Sequence, residues 1–175
     1  MKKFASFLKK DALLLEKINA SLRSPFMDWF MPKITYLGTF YASLIILCLI
    51  LISTIEDKIP FSLTLVISMV LTSAVTQGVK RTVNRNRPYN VLLNLTVSKI
   101  GIDKYSFPSG HTSNAFALAV ITFCFFPYIG VLALFLAILV ALSRMYLGVH
   151  YPTDVAIGFI IGTLSSLIIY FCLIV

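Results

Sequence analysis

Apolar residues gather into five long runs, at approximately Tyr36 to Ile55, Phe61 to Val79, Thr112 to Phe126, Tyr128 to Leu147 and Thr153 to Ile174. Each approaches the roughly 20 residues that a helix needs to cross a hydrocarbon core, the third being the shortest. The stretch before them is different. Between residues 4 and 33, Phe4, Phe7, Leu8, Leu13, Leu14, Leu15, Ile18 and Leu22 are interrupted by frequent charges, a pattern that suits an amphipathic helix lying among headgroups. An ordinary water-facing surface helix is the competing reading. Pro25 and Pro32 punctuate this stretch, and Trp29 sits where an interfacial anchor belongs. The pattern predicts an all-α polytopic membrane bundle of about five transmembrane helices preceded by an N-terminal amphipathic interfacial helix. It forms one domain, with residues 1–34 interfacial and 35–175 carrying the bundle and the site.

Composition agrees. Of 175 residues, 58% are hydrophobic and 13% charged, against about 25% charged in soluble domains. The net charge of +8 is carried between apolar spans rather than along a stripe interleaved with exposed aromatics, which excludes a nucleic-acid surface and favours anionic lipid or a phosphorylated substrate. Cys48, Cys124 and Cys172 each lie in an apolar run without metal-ligand spacing. The opening "MKKFASFLKKDALLLEKINASL" is broken by Lys9, Lys10, Asp11, Glu16 and Lys17 before an adequate apolar stretch, so no cleavable signal peptide is expected. No repeat, low-complexity tract or linker stands out.

If five spans alternate in direction, the end of the second, the start of the third, the end of the fourth and the start of the fifth share one membrane face. The chemistry is concentrated there. "KRTVNRNRP" places Lys80 and Arg87 seven positions apart: a point charge and a planar fork for one anion, or simply basic residues marking a boundary. Arg81 and Arg85 have no assigned partner and are read as headgroup or surface contacts. In "FPSGH", Ser109 can cap the helix that follows, and bare N–H groups near Gly110 would attract an anion, aided by the helix dipole. His111 beside such a site can protonate a leaving oxygen. "SRMYLGVHYPTD" supplies Ser143, a third cation in Arg144, then His150 and Asp154; Pro152 can start the last helix. Asp154 either serves the dipole alone or holds the His150 ring so that its other nitrogen acts.

Together, Lys-x6-Arg-Pro, Pro-Ser-Gly-His and Ser-Arg-x5-His-x3-Asp, in this order and at span ends, resemble the type 2 phosphatidic acid phosphatase family. Lys80, Arg87, Pro88, Pro108, Ser109, Gly110, His111, Ser143, Arg144, His150 and Asp154 all match, and the resemblance runs from about residue 36 to 170. It implies that His150 is the nucleophile forming a phosphohistidine, that Asp154 orients it, and that His111 protonates the leaving group and then activates water. Lys80, Arg87, Arg144, Ser109 and the Gly110 amide would hold the nonbridging oxygens. Neither metal nor other cofactor is expected, because three cations do the charge stabilisation. Those cations should also keep His150 neutral, with Asp154 opposing them, until substrate arrives and favours protonation of His111.

The expected partners are membrane lipids and a lipid phosphate or diphosphate, with no nucleic acid. A small five-span chain with a headgroup-side N-terminal helix is similar to bacterial undecaprenyl diphosphate phosphatases, which ranks that substrate first; phosphatidylglycerophosphate and phosphatidic acid are alternatives. A non-catalytic lipid-phosphate binding or transport protein and a vanadate haloperoxidase are rivals of other kinds. The cell membrane is the expected location. The positive-inside rule puts the basic, chemistry-bearing face in the cytoplasm, whereas the resemblance puts it outside; discounting cations spent on phosphate favours outside.

Overall fold

The computed structural model describes residues 2–54, 56–98 and 104–175, with side chains from residue 6 onward. The expected end of the first span at Ile55 and the middle of the loop from Tyr89 to Phe107 lie outside the described residues. Among those described there are seven α-helices and no strand: α1 (Lys2–Ser21), α2 (Pro25–Ile34), α3 (Phe40–Ile52), α4 (Lys58–Val83), α5 (Gly110–Phe125), α6 (Pro127–Tyr146) and α7 (Pro152–Leu173).

The five expected runs are α3 to α7, in a multi-pass membrane bundle. By length and composition, α4, α6 and α7 can each cross a membrane. The first run is shorter than expected: α3 has 13 residues and follows a 3-10 turn (Thr35–Gly38), with a bend of 64° from the preceding helix, the geometry of a broken span or of a re-entrant loop. At 16 residues α5 is also short. The bundle exterior is apolar, with Leu44, Ile45, Val70, Phe135, Ile160 and Phe171 all exposed, as expected of a lipid-facing surface.

The N-terminal stretch is two helices rather than one. Ser24 accepts the Met27 N–H at 3.2 Å and Pro25 opens α2, while Pro32 lies inside α2 without ending it. Nor does α1 simply turn its polar face outward. Asp11, Leu15 and Asn19, four residues apart, are buried against the bundle, whereas Phe7, Leu8, Leu13 and Leu14 are exposed. An i, i+4 spacing puts these three on one face, continued by Arg23.

Close approach of α5 and α7 shapes the middle of the bundle. Gly158 and Gly162 are one turn apart, and a Cβ on Gly158 would stand 2.6 Å from the Ser109 carbonyl oxygen. At Gly162 a Cβ would collide with the Ser113 carbonyl. Small residues spaced in this way let helix backbones touch within a membrane. The contact sets the start of α5 beside the start of α7, where Ser109 N–H donates to the Asp154 carbonyl at 3.0 Å.

Candidate active site

Four helix ends converge, and each is terminated by local sequence. Helix α4 ends where Asn84 takes a left-handed conformation, φ 50°, which asparagine tolerates, and its N–H bonds to the Lys80 carbonyl. That reversal carries the chain from Lys80 back to Arg87. Ser109 caps α5: its hydroxyl oxygen accepts the Thr112 hydroxyl at 2.9 Å and the Thr112 N–H at 3.4 Å, leaving the Ser109 O–H to donate elsewhere.

Helix α6 closes in a Schellman motif. Gly148 has φ +69°, its N–H bonds to the Met145 carbonyl, and the Val149 N–H bonds to the Arg144 carbonyl. Only a residue comfortable at positive φ fits there. This tight ending brings His150 back beside the turn that bears Arg144. Pro152 then starts α7, and Asp154 Oδ2 reaches back to accept the Tyr151 N–H at 2.8 Å.

The ring of His150 is 1% exposed, with Arg87 Nη1 3.1 Å from Nε2. Arginine has donors only, so Nε2 must present its lone pair. The proton of the neutral ring therefore sits on Nδ1, which faces Asp154 Oδ2 at 3.6 Å, longer than a hydrogen bond. Burial, then the positive charges of Arg144, Arg87 and Lys80, hold the imidazole pKa well below its ordinary 6.5, opposed by the Ser106 backbone. Burial, which the positions of the cations along the chain do not reveal, is the larger cause. The Asp154 carboxylate also accepts from Arg85 Nη1 at 2.7 Å and from the Tyr151 N–H at 2.8 Å.

A cavity of about 310 Å³ is lined by Lys80, Arg87, Gly110, His111 and His150, five of the eight candidate site residues. Ser109, Arg144 and Asp154 lie behind it, each fully buried. Arg144 Nη1 donates to Thr35 Oγ1 at 2.9 Å, so the 3-10 turn before α3 supports a cation of the site. His111 Nε2 is buried with no hydrogen-bond partner among the described residues. Gln77 and Asn114 also line the cavity; their signal in the sequence was helical spacing, three residues before Lys80 and three after His111.

One expectation is corrected. Arg85 is no headgroup contact: it bridges two buried carboxylates, donating from Nη2 to Asp11 Oδ2 and from Nη1 to Asp154 Oδ1, each at 2.7 Å. Its guanidinium also covers the Tyr151 ring, 3.7 Å from the centroid. Arg81, by contrast, is exposed, as a surface cation should be.

Residues 61–174 match the model of the PAP2 superfamily. The chain is 29% identical over 164 residues to the lipid A 4'-phosphatase of Bacteroides thetaiotaomicron, covering 86% of this chain and 71% of that protein. It is 32% identical over 130 residues to the undecaprenyl-diphosphatase of Sulfolobus acidocaldarius, covering 74% and 62% respectively. Of three further curated relatives, among them the bacitracin transport permease protein BcrC of Bacillus licheniformis, the chain spans only about a third of their own length. The crystal structure of LpxE from Aquifex aeolicus superposes with a TM-score of 0.80 at 28% identity, over 89% of this chain and 92% of that one.

Proposed function

The chain belongs to the PAP2 superfamily, and from that premise we propose that it is a membrane lipid phosphatase working through a phosphohistidine at His150. Undecaprenyl diphosphate is the first-ranked substrate; one relative bears the name undecaprenyl-diphosphatase. The observation that carries the mechanism is the 3.1 Å approach of Arg87 Nη1 to His150 Nε2. It supports a neutral imidazole whose lone pair faces the cations that would hold a phosphate.

In this reading Lys80, Arg87, Arg144, Ser109 and the Gly110 amide hold the nonbridging oxygens and stabilise charge that spreads over them in the transition state. The Nε2 lone pair forms a bond to phosphorus as the bond from phosphorus to the lipid-side oxygen breaks, and His111 gives its proton to that oxygen. The ring then carries a positive charge, and Asp154 opposite Nδ1 stabilises it. Water gives a proton to His111 while its oxygen attacks phosphorus, the P–N bond breaks, and phosphate leaves with the histidine restored. No step uses a metal ion.

Phosphate release from a panel of lipid monophosphates and diphosphates, in detergent with chelator present, tests this beside His150→Ala. Release by the unmodified chain and none by His150→Ala is the expected result. Retained lipid-phosphate binding without release would select the binding or transport reading instead. The panel includes phosphatidic acid and phosphatidylglycerophosphate, and the largest kcat/KM identifies the preferred lipid. This reading puts the active face on the extracytoplasmic side; a compartment-sensitive tag on the N-terminus that reported cytoplasm would overturn it.

A further inference from the structure

Asp11, Arg85 and Thr153, none of them at a defined position of the phosphate-binding motifs, form a polar network that reaches the carboxylate behind His150 through Arg85. Asp11, 5% exposed on α1, accepts from Arg85 Nη2 at 2.7 Å, from Thr153 N–H at 3.1 Å and from the Thr153 hydroxyl at 2.5 Å. Arg85 Nη1 donates to Thr153 Oγ1 and to Asp154 Oδ1, both at 2.7 Å. The main chain joins in as well: the Arg85 carbonyl accepts the Ser106 N–H at 2.9 Å.

The same helix holds the other side of the turn that bears His150. Asn19 Nδ2 donates to the Tyr146 carbonyl at 2.6 Å, and Arg23 Nη2, two residues past the end of α1, to the same oxygen at 3.0 Å. Helix α1 therefore places a carboxylate at the start of α7 and the Asn19 amide at the end of α6, where Arg23 joins it from the segment that follows. Both placements satisfy groups a helix cannot pair internally and complement its dipole. The short segment between them carries His150.

We propose that Asp11 and Arg85 are positioning residues for the hydrolysis, fixing the Asp154 carboxylate and through it the His150 ring, so that α1 is part of the catalytic apparatus. This rests on the phosphatase reading above. Arg85 lies between two buried carboxylates; without it they face each other as uncompensated like charges. Without Asp11, Arg85 loses one of the two carboxylates that hold its fork, and Asp154 Oδ1 loses a fixed donor. A misplacement of about 1 Å in a supporting group can cost on the order of 100-fold in rate without altering what binds substrate.

The test uses the purified full chain with undecaprenyl diphosphate and, separately, phosphatidic acid in detergent, reading kcat, KM and the unfolding temperature. Arg85→Met should lower kcat on the order of 100-fold, and the isosteric Asp11→Asn about 10-fold, with KM within about twofold of the unmodified chain. Arg85→Lys should recover part of the loss. In an Asp154→Asn background, Asp11→Asn should cost nothing further, because its effect runs through that carboxylate. Lys17→Ala, exposed on the same helix, is the control and should leave turnover unchanged.

Unaltered kcat in both Asp11→Asn and Arg85→Lys overturns the proposal. So does full additivity in the Asp154→Asn background, with losses that track the unfolding temperature, which marks a purely structural strap. Should Arg85→Met not fold, Asp11→Asn decides, since it keeps the shape of the side chain. Absent turnover by the unmodified chain sinks the phosphatase reading itself, and this inference with it.

Discussion

Arg87 Nη1 divides its two hydrogens between the Val149 carbonyl, 2.9 Å away, and His150 Nε2, 3.1 Å away. One nitrogen thus fixes both the turn that carries the nucleophile and the nucleophile's lone pair. Arg87→Lys keeps the charge but loses the planar fork, so no second nitrogen is left to meet phosphate while the first holds the turn and the ring in fixed geometry. We expect kcat to fall on the order of 100-fold to 1,000-fold, as when a transition-state donor is lost. Phosphate-release kinetics at saturating substrate check it, and a fall below threefold would show that charge alone suffices.

His150 also makes stability depend on pH. Its pKa is lowered in the folded chain relative to 6.5, so below that pH the unfolded chain binds a proton that the folded chain refuses. More protons on the unfolded state mean that stability falls as pH drops below about 6.5, and that His150 contributes no such slope above it. The unfolding temperature should therefore drop between pH 7.5 and pH 5 less steeply in His150→Ala than in the unmodified chain. Parallel slopes would mean that the folded ring titrates normally. For turnover, the same depression predicts that any acid limb belonging to His150 in kcat/KM lies below the ordinary imidazole range.

Gly38, in the 3-10 turn, lies under His111. A Cβ there would be 2.6 Å from the His111 carbonyl oxygen and 2.7 Å from Val140 Cγ1. The first of these is backbone and cannot rotate away. Gly38→Ala should cost about 1 to 3 kcal/mol of stability by overpacking and should lower kcat by displacing the start of α5. Gly78→Ala, where nothing lies within 4 Å, should gain about 0.5 to 1 kcal/mol from helix propensity. Thermal unfolding and turnover measured on both variants separate the two cases.

The helices α3 to α7 were legible because runs of apolar side chains write their own length, and the grouping of their ends followed from alternation alone. The positions of Lys80, Arg87, His111 and His150 around one cavity were legible because their motifs sit at those ends. What the chain hid were long-range polar bonds. Nothing in "NRNRP" says that Arg85 rather than Arg87 meets Asp11, 74 residues away. A charge on an amphipathic helix reads as solvated unless its partner is known, which is why Asp11 carried no signal of its burial. Thr35 was invisible for the same reason: a hydroxyl in a turn carries no signal until Arg144 is placed against it. The spacing of Asp11, Leu15, Asn19 and Arg23 was the available clue, a polar face that includes a leucine.

Gly158 and Gly162 belong to the same hidden class, since a glycine in an apolar run is easily passed over as lipid-facing. Their separation of four residues is the packing signal, and it decides how far the start of α5 stands from the start of α7. At Gly158 an added Cβ meets the Ser109 carbonyl at 2.6 Å and Thr112 Cβ at 3.1 Å. Ser109 caps α5 and bonds to the Asp154 backbone, so the clash falls on the joint between the two halves of the site. Gly158→Ala should therefore reduce kcat by more than its loss of stability explains, whereas Gly162→Ala, one turn deeper against Ser113, should destabilise with a smaller kinetic effect. Helix propensity alone would stabilise both variants by about 1 kcal/mol, so a raised unfolding temperature in either would show that α5 and α7 do not touch there.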